Sequence, residues 1–188
     1  MKKCFPLMIL FASATLTLSA QNGRMPAIDK SPMDMSYYPA NYPILKIQEK
    51  LTEPLAARVI YSRPAKNGRT VFGELIEYGS VWRLGANEAT ELELFRDAKI
   101  GNIRVKKGRY SLYAIPTEKN WTLIINRDTD TWGAFKYDQK KDVARITIPV
   151  EKTSEETESF TMFFEKAGTG ANLFIYWDNY KAVVPIQF

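Results

Sequence analysis

Three arginines lie close to an asparagine–glutamate pair between residues 62 and 90 of this sequence. They are Arg63, Arg69 and Arg83, followed by Asn87 and Glu88. Arginine forks hold a carboxylate, phosphate or sulfate group in a fixed plane, and an asparagine amide adds a donor and an acceptor. The cluster therefore predicts a pocket for a polar or anionic ligand. The alternative is a structural network in which Arg83 pairs with Glu88 or Glu74.

Aromatic side chains are the second candidate for ligand binding. They are numerous for one domain and include Trp82, Tyr110, Tyr113, Trp121, Trp132 and Tyr137. Aromatic rings that stack on the face of a sugar would form a carbohydrate platform, and we keep Trp82, Trp132 and Tyr137 as candidates for it. The competing interpretation is packing, because aromatic residues also suit half-buried strands.

Carboxylates offer the third kind of chemistry. The sequence has no histidine, and its one cysteine is Cys4. Cys4 lies in residues 1–20, which are predicted to be cleaved as a signal peptide. The remaining chain then has neither residue type, which excludes Ser-His-Asp triads, thiol nucleophiles and metal sites built on imidazole or thiolate. Glycoside hydrolysis needs only two carboxylates, and Glu74, Glu77, Glu88 and Asp138 are available. A carboxylate-based hydrolase is therefore an alternative function, with no catalytic residue assigned.

Residues 126–133 have some features of a calcium-binding loop. Asp128 and Asp130 alternate before Gly133, but Trp132 occupies a ligand position and Gln139 stands where a glutamate is expected. The segment is better interpreted as a solvated acidic turn. We expect neither a metal nor a cofactor.

Residues 1–20 are predicted to be a secretory signal peptide. Two lysines begin the segment, residues 7–18 are apolar, and Ala20 offers a small residue at the cleavage point. The apolar stretch is shorter than the roughly 20 residues that a membrane-spanning helix needs. Cys4 precedes this stretch, so we do not expect a lipid anchor. The prediction is an exported protein, periplasmic or extracellular, with no membrane span after processing.

The small net charge of the chain indicates which classes of partner to expect. Removing residues 1–20 leaves 24 basic and 21 acidic residues, so the formal net charge falls from +5 to +3. The most basic stretch, residues 104–109, is predicted to be a solvated hairpin tip. Because basic residues are interspersed with acidic ones, nucleic acid is not an expected partner. A small polar or saccharide ligand, or a partner protein, is expected instead.

From residue 46 onward, β-branched and aromatic residues alternate with polar ones, and glycine and asparagine turns separate the runs. The clearest predicted strands cover 58–61, 91–95, 103–105, 121–125, 144–150, 160–164, 173–177 and 182–186. No helical pattern is long enough to cross over a parallel sheet. The sequence predicts an all-β fold, an antiparallel β-sandwich or jelly-roll-like barrel of about nine or ten strands.

Two segments depart from this alternation. Residues 21–45 contain four prolines, which argue against a helix or a central strand. We predict a Pro/Tyr-rich arm or linker there, followed by a single domain over residues 46–188. Residues 62–90 are rich in glycine and charge and are predicted to be a long structured loop. A connection of this length inside a compact domain is usually functional.

Several motifs in this loop and in the strands that follow are specific enough to indicate relatives. They are Tyr61-Ser62-Arg63-Pro64, Gly68-Arg69, Phe72-Gly73, Val81-Trp82-Arg83-x-Gly85-Ala86-Asn87-Glu88-Ala89-Thr90, Gly108-x-Tyr110-Ser111-Leu112, Trp132-Gly133 and Tyr137-Asp138. With them, residues 45–188 resemble the family of unknown function DUF2911. The resemblance implies a small, usually exported bacterial protein, and it implies no activity and no catalytic residue.

These observations predict an exported β-sandwich module that binds a small polar, anionic or saccharide-like ligand, or a partner protein, through the 62–90 region. The candidate ligand-binding residues are Arg63, Arg69, Trp82, Arg83, Asn87, Glu88, Trp132 and Tyr137. The alternatives are the carboxylate-based hydrolase and a purely structural protein that docks through its edge strands.

Overall fold

The computed structural model describes residues 25–188 and confirms the all-β prediction. The predicted signal peptide, residues 1–20, lies outside the described residues. The elements are β1 (Met33–Tyr38), α1 (Tyr42–Ile47), β2 (Ala57–Ser62), β3 (Thr90–Leu94), β4 (Ala98–Ile100), β5 (Ile103–Val105), β6 (Gly108–Pro116), β7 (Asn120–Asn126), a 3₁₀ turn (Gln139–Lys141), β8 (Asp142–Ala167) and β9 (Gly170–Gln187). Between residues 25 and 188, no helix is long and apolar enough to cross a membrane.

The strands form an antiparallel arrangement in the order β1-β2-β3-β6-β7-β8-β9-β4-β5. Strand β8 connects two groups of strands, because its first residues pair with β7 and its later residues pair with β9. Its pairing with β9 shifts register between Lys152 and Thr161, so β8 bends within an acidic stretch. The far end of β8 then packs over β1 and β2, and Phe160 contacts Tyr61 edge to face at 5.8 Å. The result is a sandwich-like fold around one main core.

An aromatic cluster occupies the centre of this core. Its members, all at most 7% exposed, are Phe72, Trp82, Trp121, Phe160, Trp177 and Tyr180. The rings of Trp82 and Trp177 stack with centroids 5.8 Å apart, and most of the other contacts are edge-to-face. These geometries are favoured by the ring quadrupoles and add to the free energy gained from burial.

The connection between β2 and β3 is a long structured segment, as predicted, and much of it belongs to the core. Val71 and Phe72 are buried, and Phe72 contacts the rings of four other aromatic residues. Isolated bridges attach the segment to the sheet through Ala65 and Ser159, and through Trp82 and Ala114. The connection therefore contributes to stability.

The segment predicted to be an arm contributes elements of the fold. Strand β1 pairs with β2 along its full length, and Tyr38 is buried with its ring stacked on Phe188 at 5.3 Å. The prediction that prolines exclude a helix is wrong for α1, because Pro43 lies in the first turn, where a missing N–H costs no hydrogen bond. The strand-like alternation from residue 46 was also misleading, since Ile47 ends α1 and is exposed.

Candidate functional site

A second apolar cluster lies on the outer face of the sheet, which is the face turned away from the aromatic core. Side chains on β6 and β7 alternate between the two faces, so Tyr113 and Ile124 point outward while their neighbours enter the main core. Ala89 completes the buried part of this outer cluster. The segment between β7 and β8, residues 127–141, supplies Ala134 and Tyr137 at its edge. We call this segment the covering loop.

Backbone and side-chain hydrogen bonds fix both ends of the covering loop. The buried Asn126 donates to Asp142 Oδ1 at 2.7 Å and to the Asp138 carbonyl at 3.0 Å. The middle of the loop pairs with the 62–90 connection, where Gly133 N donates to the Asn87 carbonyl at 2.8 Å and Ala89 N donates to the Thr131 carbonyl at 3.0 Å. The loop is thus held at several points along its length.

A polar network of Tyr137, Asp142 and Arg145 supports the loop at its C-terminal end. Tyr137 donates its hydroxyl proton to Asp142 Oδ2 at 2.6 Å, and Arg145 donates to both groups at 3.0 Å. Desolvation and the hydrogen bond to Asp142 raise the pKa of Tyr137 to about 12. The ring of Tyr137 also packs edge to face on Tyr113, with centroids 5.2 Å apart.

Two of the three acidic residues of the loop are paired with basic ones. Asp128 lies 2.9 Å from Lys141, and Asp130 lies 2.5 Å from Arg109, which also bridges to Glu91 at 2.7 Å. The hydrogen bond from Arg109 lowers the pKa of the Asp130 carboxyl. Within residues 25–188, no group of three or more acidic side chains converges to hold a metal ion.

A cavity of about 390 Å³ opens between the covering loop and the outer face of the sheet. Its lining comprises Tyr113, Asp128, Asp130, Thr131, Trp132, Gly133, Phe135, Lys136 and Tyr137. Two of its aromatic side chains are left in solvent, since Trp132 is 62% exposed and Phe135 is 85% exposed. Gly133 has a φ of +67°, and a Cβ there would lie 2.8 Å from the Phe135 ring. The glycine therefore lets the loop turn and leaves room for that ring.

The structure does not bring the three predicted arginines into one pocket. Arg63 bridges β1 and β8, donating to Asp34 at 3.0 Å and to Thr161 at 2.9 Å. Arg69 donates to the carbonyls of residues 65 and 66 at the edge of a separate polar cleft. The main charges of that cleft satisfy each other, because Lys66 Nζ lies 2.6 Å from Asp178.

Trp82 and Arg83 point in opposite directions, as their adjacency in an extended chain predicts. Trp82 is 3% exposed in the main core and donates its indole N–H to the Gly85 carbonyl at 3.2 Å, so it forms no platform for a ligand. The predicted pairing of Arg83 with Glu88 or Glu74 is wrong, since neither carboxylate lies within ion-pair distance. The reason is that Glu88 turns to the covering loop, where its backbone bridges to Trp132.

Two of the eight candidate residues line the cavity, and two more lie beside its covering loop. Trp132 and Tyr137 line the cavity, and Asn87 and Glu88 pair with the backbone of its covering loop. Phe135 and Lys136 also line the cavity but were not predicted from the sequence. The signal that could have indicated Phe135 is an aromatic residue in a short run between turn residues, with no strand pattern in which to bury it.

The carboxylates considered for hydrolysis lie on different segments. Glu77 accepts a hydrogen bond from Ser80 at 3.1 Å, and Asp138 caps the 3₁₀ turn by accepting from Lys140 N at 2.9 Å. Glu74 and Glu88 are exposed on the 62–90 connection. This arrangement gives no support to a catalytic acid pair made from these residues.

Comparison with known proteins identifies one family. A family model described as "Protein of unknown function (DUF2911)" matches residues 44–186, which cover strands β2 to β8, nearly all of β9, and the covering loop. Searches of curated proteins and of solved structures gave no match. Because the family model spans most of the chain, this protein belongs to the DUF2911 family of proteins of unknown function.

Proposed function

We propose that this protein binds a saccharide in the cavity between the covering loop and the outer face of the sheet. One observation carries the proposal: Trp132 and Phe135 are exposed aromatic residues fixed at the mouth of a cavity by a well-anchored loop. Exposed apolar side chains grouped in this way often mark a binding site. A cavity of this size with aromatic walls and a few polar groups is typical of small-molecule sites.

The polar groups suit hydroxylated ligands. Asp128, Asp130 and Thr131 present oxygen atoms beside the aromatic rings. Sugar rings have apolar faces that pack on aromatic side chains and hydroxyl groups that donate to carboxylates. This combination of rings and acceptors therefore matches a saccharide.

An organic cation is the main competing ligand for an aromatic cavity. Such cages usually add unpaired negative charge to the attraction of the ring faces. Here Asp128 is paired with Lys141 and Asp130 with Arg109, and Lys136 adds a positive charge to the lining. The charge balance therefore favours a saccharide over a quaternary ammonium ligand.

The test is calorimetric titration with neutral and acidic oligosaccharides. We expect at least one to bind, and Trp132→Ala to weaken that binding about tenfold or more, since loss of one anchor contact costs about 1.4 kcal/mol or more. Phe95→Ala is the matched control because Phe95 is exposed just beyond β3, at the end of that strand remote from the cavity. Absence of binding across the panel, or an unchanged affinity in Trp132→Ala, would contradict the proposal.

Export is part of the same proposal. The charged start, the apolar stretch and Ala20 support cleavage before Gln21. Mass spectrometry of the protein recovered from the periplasm or medium should show a chain that begins at Gln21 and carries no lipid. An intact Met1 in the mature protein would contradict this prediction.

A further inference from the structure

Arg83 lies on the same face of the sheet as the cavity. Trp82 and Ala114 exchange both backbone hydrogen bonds in an antiparallel bridge, at 2.7 and 2.8 Å. That register places Arg83 across from Tyr113, the next residue toward the start of β6. Trp82 points into the main core, so Arg83 points to the outer face, as Tyr113 does. Tyr113 in turn lines the cavity.

The guanidinium of Arg83 has no partner within residues 25–188. Its Nε atom is buried without a hydrogen bond, and no carboxylate lies within ion-pair distance. Desolvation lowers the pKa of Arg83, and no nearby acid offsets this effect. A partly buried charge without a partner is costly to the fold, so its presence points to a group supplied from outside.

The charged residues around Arg83 and the cavity favour an anion as the external group that binds Arg83. Four carboxylates near the cavity are engaged by other cations: Glu91 and Asp130 by Arg109, Asp128 by Lys141, and Asp142 by Arg145. Glu88, whose backbone bridges to Trp132, is exposed and makes no ion pair within residues 25–188. Lys136 in the cavity lining makes no ion pair within the described part of the chain. Two cations without an ion-pair partner therefore lie on this face of the sheet: Lys136 in the cavity lining, and Arg83 beside it, across from Tyr113.

From this arrangement we infer that the ligand is an acidic saccharide whose carboxylate is bound by Arg83. The inference rests on the proposed function and specifies its substrate class. A guanidinium presents its N–H groups as a planar fork that matches the two oxygens of a carboxylate. A uronic acid carries that carboxylate on a ring that can pack against Trp132 and Phe135.

The test compares tetragalacturonate with its methyl ester, which has the same rings and no charge. We expect the acid to bind about tenfold tighter than the ester, and the difference to shrink as salt rises from 50 to about 500 mM. Arg83→Gln should remove most of the difference while leaving binding of the ester unchanged. Arg96→Gln is the matched control, because Arg96 is an exposed arginine beyond the far end of β3.

The melting temperature of each variant is measured beside its binding, to show whether a change in binding comes from a change in stability. Removing an unpaired, partly buried charge should leave the melting temperature of Arg83→Gln unchanged or higher. Lys136→Gln gives a second variant at an exposed position and should weaken binding of the acid about threefold, as expected for a screened surface charge.

The outcomes separate the two proposals. If acid and ester bind equally and Arg83→Gln changes neither, the acidic-saccharide inference is wrong while saccharide binding stands. If neither binds, or if Trp132→Ala has no effect on either, the proposed function itself is wrong.

Discussion

Replacing Phe72 with alanine tests whether the 62–90 connection is part of the core. Phe72 is 5% exposed, and its ring lies 4.8 to 6.3 Å from the ring centroids of Trp82, Trp121, Trp177 and Tyr180. Truncating a phenylalanine in such a setting costs about 3–5 kcal/mol, because apolar burial is lost and a cavity is left. That is a large part of the roughly 5–15 kcal/mol by which domains are stable.

Urea denaturation followed by tryptophan fluorescence measures this loss. For a slope of about 2 kcal/mol per molar, the midpoint should fall by about 2 M. Phe72→Leu should cost less than about 1.5 kcal/mol because it keeps most of the volume. Leu75→Ala is the control on the same connection, since Leu75 is 41% exposed and should change stability by less than about 0.5 kcal/mol. A loss below about 1 kcal/mol for Phe72→Ala would refute the assignment of this connection to the core.

Two further predictions concern the covering loop. Tyr137→Phe should lower the free energy of unfolding by about 1–2 kcal/mol, since it removes a hydrogen bond to a charged acceptor and keeps the ring. Because the pKa of Tyr137 rises from 10.0 to about 12 on folding, its contribution is full below pH 10 and declines as pH rises toward 12, so melts of the two proteins should converge in that range. Gly133→Ala should destabilise by about 1–2 kcal/mol, because of the positive φ, and should also weaken saccharide binding by displacing Phe135. An unchanged affinity in Gly133→Ala would show that the position of the Phe135 ring does not matter.

Local patterns were sufficient to predict the fold class. Alternation of β-branched and aromatic residues marked the strands well, because each strand has one face in the core. The bend in β8 was missed because the acidic residues within 153–159 are exposed and give no strand alternation, and tertiary pairing keeps the segment extended. The helix α1 was missed because it is only six residues long and has no buried residue, so it leaves no apolar period in the sequence.

The position of the candidate site could be predicted only in part. The arginines are close in sequence, but the connection between β2 and β3 crosses the molecule, so Arg63 and Arg69 reach different surfaces. Trp132 and Tyr137 were identified by residue type. Their meeting with Asn87 and Glu88 depends on non-local pairing between two long connections, which no local pattern encodes.

The most direct test of saccharide binding follows the indole N–H signals of the protein by heteronuclear NMR during titration with oligogalacturonate. The sequence has four tryptophans, and Trp82, Trp121 and Trp177 are at most 3% exposed while Trp132 is 62% exposed. Trp132→Phe assigns the signal of Trp132. The signal of Trp132 should shift progressively and reach saturation while the other three change little. A titration in which the Trp132 signal stays fixed, or in which the buried tryptophans shift instead, would contradict binding at this cavity.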